Sequence, residues 1–212
     1  MVSLKDRFGA YINSHHRCPT GFVGMLVADK MVRQHQPEHT WAVSELALQP
    51  ADEVLEIGFG AGRAVELMVE QVTQGHIYGI DLSPTMVRSA SRRNALAVRE
   101  GRVILQHGDV STLPFADQQF DKILSIHSIY FWSDIPQIIQ GLFRILKPGG
   151  KLFLVLATTW INADGEKIVD PLQATLEEQI IPGMLRQGFT AAYLAQGPDN
   201  RQFNNVAVVG EK

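Results

Sequence analysis

Apolar residues follow two different spacings along this chain of 212 residues. From Glu53 onward, short apolar runs of the length of buried strands alternate with segments in which apolar residues recur every three or four positions. This alternation predicts mainly parallel strands, joined by helices that cover both faces of one sheet. The predicted strands are a first one that begins at Glu53, followed by residues 76–80, 102–106, 121–126, 151–156, 189–194 and 205–209.

The last two predicted strands have no helix between them. We therefore expect a C-terminal hairpin that places one antiparallel strand in a sheet of seven strands, in an α/β architecture. Residues 1–50 lack the short apolar runs that are typical of buried strands. They predict a helical cap, which belongs to the same domain as residues 51–212. The predicted helices are 25–36, 38–48, 64–69, one that starts at Ser83 and Pro84 and continues past Leu96, 134–146, and 171–187 with a break at Pro182-Gly183.

Three glycines lie at alternate positions between the first strand and the helix that follows it: Gly58, Gly60 and Gly62. Glycine tolerates the dihedral angles of a sharp turn, and its missing Cβ lets the backbone approach a ligand closely. The bare pattern is equally consistent with a simple turn. Glu56, two positions before the first glycine, would repel a pyrophosphate, whereas it would attract a cationic ligand.

Further candidate residues lie where the other strands end, which is the edge at which parallel sheets bind ligands. Asp81 could accept hydrogen bonds from the diol of a ribose, or it could simply cap a helix. Asp109 could accept from a nucleobase amino group while the Val110 N–H donates to the ring, although Gly108-Asp109 also favours a plain turn. Ser125 follows at the end of the fourth strand.

Composition and charge argue against several classes of function. A formal net charge of −3 provides no basic surface for nucleic acid. Apolar runs are too short for a membrane span, and we expect no signal peptide. The single cysteine, Cys18, cannot form an internal disulfide, which favours a cytoplasmic protein. His15 and His16 lack neighbours at metal-ligand spacing, so no metal site is expected.

Together these residues resemble the class I S-adenosylmethionine-dependent methyltransferases over residues 41–156. The resemblance rests on five motifs: residues 54–62 (VLEIGFGAG), 79–83 (GIDLS), 108–110 with 113–115 (GDV and LPF), 120–123 (FDKI) and 146–150 (LKPGG). It is closest to the branch that methylates small molecules, including the ubiquinone and menaquinone biosynthesis enzymes. It implies a Rossmann-like doubly wound fold, S-adenosylmethionine as the cofactor, and methyl transfer to a small-molecule acceptor.

The resemblance also implies individual roles. Glu56 and the glycine loop would hold the methionine part of the cofactor, Asp81 the ribose, and Asp109 and Val110 the adenine. Leu82 and Met86 would pack near the adenine ring, although Met86 could equally belong to the core. The predicted cofactor-binding residues are Glu56, Gly58, Gly60, Gly62, Asp81, Leu82, Met86, Gly108, Asp109, Val110 and Ser125.

Methyl transfer is an in-line displacement, so the protein contributes largely by alignment and by excluding water. If the acceptor is a hydroxyl or an acidic carbon, His127 is the candidate general base; a structural role at the end of the fourth strand is equally compatible with its position. Tyr130, Phe131 and Trp132 could wall the acceptor pocket, or they could be core residues.

The N-terminal cap is expected to close over the site through Phe22, Met25, His39 and Trp41. Two other functions fit parts of the pattern. A non-catalytic module that binds S-adenosylmethionine would have the same cofactor motifs. A nicotinamide-dependent oxidoreductase is disfavoured by the G-x-G-x-G spacing and by Glu56.

Overall fold

The computed structural model describes residues 36–161, 166–170, 172–198 and 203–212. The strands are β1 (Glu53–Ile57), β2 (His76–Asp81), β3 (Val103–His107), β4 (Phe120–Ile126), β5 (Leu146–Ile161), β6 (Lys167–Val169), β7 (Ala191–Gln196) and β8 (Phe203–Glu211). The helices are α1 (Gln36–Glu45), α2 (Arg63–Val69), α3 (Pro84–Arg93), α4 (Ala95–Arg99), α5 (Ile135–Ile145), α6 (Leu172–Thr175) and α7 (Ile181–Gln187). Two 3₁₀ turns, Val110–Thr112 and Ile129–Phe131, and a π-helical segment, Leu176–Ile180, complete the described elements.

The strands form one sheet in the order β3-β2-β1-β4-β5-β8-β7, and the short β6 pairs with the far end of β5. Strands β1 to β5 run parallel, whereas β8 runs antiparallel to both of its neighbours. The predicted doubly wound sheet with one antiparallel strand in a C-terminal hairpin is therefore confirmed. Strand β6 is an addition: its three residues are too few to show a strand pattern in the sequence.

Consecutive residues of the central strands serve opposite faces of the sheet, as the two-residue period of a strand requires. Val54 packs in the cluster that contains Val65 of α2, whereas Leu55 packs in the cluster that contains Leu142 of α5. Both faces are thus covered, which explains why β1 has apolar residues on both sides. The order of the strands reverses between β1 and β4, and this places a crevice at their carboxyl ends.

Side-chain caps set the beginnings of two helices. The Ser83 hydroxyl accepts a hydrogen bond from the Met86 N–H at 3.3 Å, and Pro84 opens α3 as the sequence predicts. Asp134 caps α5 in the same way. The helix expected to continue past Leu96 is interrupted at Asn94, which separates α3 from α4.

Three predicted boundaries need correction or lie outside the described residues. The break expected at Pro182-Gly183 is a π-helical segment that ends at Ile180. Since Pro182 has no N–H, it is accommodated in the first turn of the next helix. Helix α1 covers Gln36–Glu45 rather than 38–48. Residues 25–35 of the predicted first helix, with the lid residues Phe22 and Met25, lie outside the described residues.

Candidate functional site

One cavity opens at the carboxyl ends of β1, β2 and β4. It brings together residues that lie far apart in the sequence, because parallel strands end at the same edge of the sheet. The predicted site residues that line it are Glu56, Gly58, Gly60, Asp81, Leu82, Met86, Gly108, Asp109, Val110 and His127. Gly62 and Ser125 do not line it.

The glycine loop after β1 turns sharply and uses its glycines for different purposes. Gly60 has a φ of +51°, a Cβ there would meet no atom within 4 Å, and its N–H donates to Asp81 Oδ2 at 2.9 Å. Gly62 has a φ of +79° and lies against α3, where a Cβ would come within 2.7 Å of the Ala90 Cβ. Gly60 therefore leaves space beside the cavity, whereas Gly62 is required for packing.

Asp81 fastens the glycine loop to the end of β2. Its Oδ1 accepts from the Ser83 N–H at 2.8 Å, and its Oδ2 accepts from Gly60. Only 9% of the residue is exposed, and this burial raises the pKa of the carboxyl to about 6, against the lowering effect of the two N–H groups. A carboxylate oxygen has more than one lone pair, so Asp81 can still accept from a ligand hydroxyl.

Glu56 is a buried carboxyl whose charged form is disfavoured by its surroundings. It is 2% exposed, and within the described residues its Oε2 has no hydrogen-bond partner. Burial, followed by the nearby Asp81 charge, raises the pKa of Glu56 to about 8, although an N–H of Val65 acts in the opposite direction. A cationic group in the cavity would satisfy both the unpaired oxygen and the buried charge.

Asp109, Leu82 and Met86 complete this side of the cavity. Asp109 Oδ1 accepts from the Ser111 N–H at 2.8 Å and so caps a 3₁₀ turn, which means that the turn geometry and the position beside the cavity coexist. Leu82 is half-exposed at the cavity, whereas Met86 is buried and belongs to the core as well as to the lining.

The opposite side is built where β4 ends. His127 has a φ of +54°, which is unusual for a residue with a side chain, and its N–H donates to the Val155 carbonyl at 2.9 Å. Phe131 and Trp132 line the cavity. Ser125 is instead buried and forms a hydrogen bond with the hydroxyl of Ser128, which itself lines the cavity.

Tyr130 and Trp41 do not line this cavity. The Tyr130 hydroxyl donates to the Ala157 carbonyl at 2.9 Å and accepts from the Ala157 N–H at 2.6 Å, and burial raises its pKa above the ordinary value. Trp41 packs against Phe153, with ring centroids 5.3 Å apart. Of the four residues expected to close over the site, His39 lines the cavity.

Several residues that line the cavity are not among the site residues predicted from the sequence. Arg63, the first residue of α2, lines the cavity and forms an ion pair with Glu66 at 2.7 Å. Its position directly after the glycine loop was a usable signal. Phe59 also lines the cavity and lies inside the glycine motif, whereas nothing in the local sequence distinguishes Ser128 and Ser133, which line it as well. Among the residues that the structure describes, no three His, Cys, Asp or Glu side chains are grouped to hold a metal ion.

Comparison with known proteins gives consistent matches. The family described as "Methyltransferase domain" matches residues 55–154. A Bacillus subtilis (strain 168) protein named as the uncharacterized methyltransferase YdaC is 31% identical over 143 residues, which are 68% of this chain and 77% of that protein. The ubiquinone/menaquinone biosynthesis C-methyltransferase UbiE of Geotalea daltonii is 30% identical over 120 residues, which are 56% of this chain and 51% of that enzyme.

The fold has close structural counterparts as well. A crystal structure of an S-adenosylmethionine-dependent methyltransferase from Aquifex aeolicus superimposes with a TM-score of 0.63 at 19% identity. The superposition covers 86% of this chain and 96% of that one. No helix in the described part of the chain is long and apolar enough to cross a membrane.

Proposed function

Because this chain belongs to the family of S-adenosylmethionine-dependent methyltransferases, we propose that its cavity aligns the cofactor with a small-molecule acceptor for in-line methyl transfer. The family, the enzyme class and the cofactor that the sequence predicts are confirmed by these relatives. The site residues and the nature of the acceptor are the proposal. The single observation that carries it is the buried Glu56 carboxyl, which has an unpaired oxygen beside an open glycine loop.

The cavity has groups suited to each part of the cofactor. Glu56 would receive the ammonium group of the methionine part, since that contact pairs the orphaned Oε2 with a cation. Asp81 would accept from the ribose hydroxyls with the lone pairs that Gly60 and Ser83 leave available. The adenine would lie against Leu82, with Asp109 and the Val110 N–H at its polar edge.

The cofactor supplies a methyl group on a sulfonium, which is electrophilic without further activation. The task of the chain is then to hold the acceptor atom in line with that methyl group and to keep water away. Phe131 and Trp132 provide an apolar wall for the acceptor, and their ring faces can also contact a cationic centre. Gly60 keeps the loop side of the cavity open because a Cβ there would project into free space.

His127 is proposed as the general base for an acceptor that must lose a proton. It lines the cavity, and its backbone is fixed to β5 by the bond to Val155, so its ring is presented from a rigid position. A positioned imidazole can take a proton from a hydroxyl or from an acidic carbon during methyl transfer. An amine acceptor that reacts in its neutral form would need this group less.

A small-molecule acceptor is supported by the aromatic lining and by the name of the Geotalea daltonii relative, which acts in ubiquinone and menaquinone biosynthesis. This chain covers about half of that enzyme's length. The net charge of −3 provides no attraction for nucleic acid, and the single cysteine favours a reducing compartment such as the cytoplasm.

Acceptor-dependent formation of S-adenosylhomocysteine tests the proposal. The protein is incubated with S-adenosylmethionine and with a panel of quinols, phenols and amines, and the product is measured by mass spectrometry. We expect at least one acceptor to give S-adenosylhomocysteine together with a methylated product, and Glu56→Gln to lower the yield of both strongly at a cofactor concentration near the wild-type KM. Binding of S-adenosylmethionine without turnover on any acceptor would instead support a non-catalytic binding module.

A further inference from the structure

The junction between α3 and α4 holds the glycine loop from behind. The Arg93 Nε donates to the Ala61 carbonyl at 2.9 Å, and the Asn94 Nδ2 donates to the Gly62 carbonyl at 3.1 Å. Both acceptors lie about thirty residues earlier in the sequence, so these contacts join two separate parts of the fold. We call Arg93 and Asn94 the loop clasp.

The clasp is built into a closely packed contact. Asn94 is 7% exposed, and its amide also donates to the Ala90 carbonyl at 3.0 Å, which fixes its orientation at the end of α3. Gly62 lies so close to this helix that a Cβ would come within 2.9 Å of the Asn94 Nδ2. The loop carbonyls therefore have a fixed partner on the side away from the cavity.

The clasp also connects to a charge at the cavity. Glu66 Oε2 pairs with Arg63 at 2.7 Å and with Arg93 at 3.5 Å. Arg63 lines the cavity, whereas Arg93 lies on the outer side of the loop. One carboxylate thus links the clasp to a cationic side chain that lines the cavity.

We propose that Arg93 and Asn94 are positioning residues that hold the glycine loop in its binding conformation and thereby set the affinity for the cofactor. This inference rests on the proposed function, in which the loop faces S-adenosylmethionine. A loop with left-handed backbone at Gly58, Gly60 and Gly62 has many alternative conformations available. The apparent Kd equals the intrinsic Kd divided by the fraction of molecules whose loop is in the binding-competent conformation, so a smaller fraction means weaker binding.

Two variants on the same helix provide a matched test. Arg93→Met keeps the aliphatic stem of the side chain but removes the donors to Ala61 and to Glu66. Arg92→Met is the control, because Arg92 is exposed and forms no hydrogen bond or ion pair in the described part of the chain. Arg93→Lys, which keeps the charge, is the conservative variant that should recover part of the loss.

Calorimetric titration with S-adenosylmethionine should give a Kd about five- to tenfold higher for Arg93→Met than for the wild type. Arg92→Met should stay within about twofold of the wild type, and Arg93→Lys should lie between the two variants. In turnover assays, the KM for S-adenosylmethionine should rise in Arg93→Met while kcat at saturating cofactor is retained. A purely stabilising role would leave the Kd unchanged in a folded variant.

Hydrogen exchange of the cofactor-free protein separates this inference from the proposed function. Amides of residues 58–63 should exchange faster in Arg93→Met than in Arg92→Met, whether or not the cofactor binds. Unchanged exchange, or faster exchange with an unchanged Kd, would overturn the inference. A folded wild type that shows no binding of S-adenosylmethionine would overturn the proposed function, and the affinity role of the clasp with it.

Discussion

The two halves of the cavity are built from different materials. The cofactor half, at the ends of β1, β2 and β3, consists of backbone turns, two buried carboxyls and glycines. The proposed acceptor half, after the end of β4, consists of His127 and of Phe131 and Trp132 at the end of a short 3₁₀ segment, together with His39 of α1. The first half relies on hydrogen bonds within the fold, whereas the second relies on side-chain shape.

This difference separates the demands of the two ligands. A cofactor with fixed polar groups requires carboxyls at fixed positions, and two N–H groups hold the Asp81 carboxyl in place. An acceptor pocket of aromatic side chains can change its residues without disturbing the hydrogen bonds of the cofactor half. We therefore expect substitutions in one half to leave the function of the other half intact.

The largest expected effect is structural, at the rear of the cofactor half. Gly62→Ala should lower the free energy of unfolding by about 3 kcal/mol, because the new Cβ would be strained at a φ of +79° and would collide with α3. Gly60→Ala is the matched control at a similar backbone angle in open space, and it should cost about 1 kcal/mol. Urea denaturation measures both. Equal losses would show that packing on α3 is unimportant.

Glu56→Gln should weaken the binding of S-adenosylmethionine by about 100-fold, because the amide cannot neutralise an ammonium group. The same variant should be more stable than the cofactor-free wild type. The pKa of Glu56 is raised from its ordinary value of 4.5 to about 8, so the folded wild type binds this proton more tightly than the unfolded chain. As far as this group is concerned, wild-type stability falls as the pH rises from about 4.5 to about 8.

Thermal unfolding across that pH range is the measurement. The advantage of Glu56→Gln over the wild type should grow with pH and level off above about pH 8. Thermal stability equal to the wild type at every pH would mean that Glu56 is not a strained charge. Unchanged cofactor affinity would mean that it does not contact the cofactor.

In the acceptor half, His127→Asn should lower kcat by about 100-fold for a hydroxyl or carbon acceptor. Asparagine tolerates the left-handed backbone that His127 adopts at a φ of +54°, so the fold should be preserved. The affinity for S-adenosylmethionine should not change. A kcat equal to that of the wild type would assign His127 a structural role at the end of β4.

The smallest effect is expected for Trp132→Ala. Removal of the ring should raise the KM for the acceptor by about tenfold through lost apolar contact. The Kd for S-adenosylmethionine, measured by calorimetry, should remain that of the wild type if the two halves act independently. A rise in both the KM for the acceptor and the Kd for the cofactor would show that the two halves of the cavity do not act independently.

The contrast also explains which features could be read from the sequence. Glu56, Gly60 and Asp81 lie in short motifs next to strand ends, so local pattern alone places them at the carboxyl edge. The strands themselves follow from apolar runs that tertiary packing on both faces reinforces. The sequence therefore predicted the position of these three residues at the edge of the sheet, whereas their contacts with the cofactor stay a prediction.

Other features depend on contacts between distant segments. Tyr130 lies beside two cavity residues, yet its hydroxyl is taken by Ala157 on β5, which no local pattern reveals. Ser125 is likewise held by the hydroxyl of Ser128, a residue that lines the cavity. The clasp between Asn94 and Gly62 joins residues that come together only when α3 packs on the loop. Such pairings require the folded chain.

The central claim is that the carboxyl edge binds S-adenosylmethionine through its buried acids. Its most direct test is calorimetric titration of the wild type and of Asp81→Asn with S-adenosylmethionine and S-adenosylhomocysteine, with NADH as the unrelated nucleotide. We predict that the wild type binds the first two and not NADH, and that Asp81→Asn, shown to be folded by circular dichroism, loses this binding. A folded wild type that binds neither, or an Asp81→Asn variant with undiminished affinity, would contradict the account.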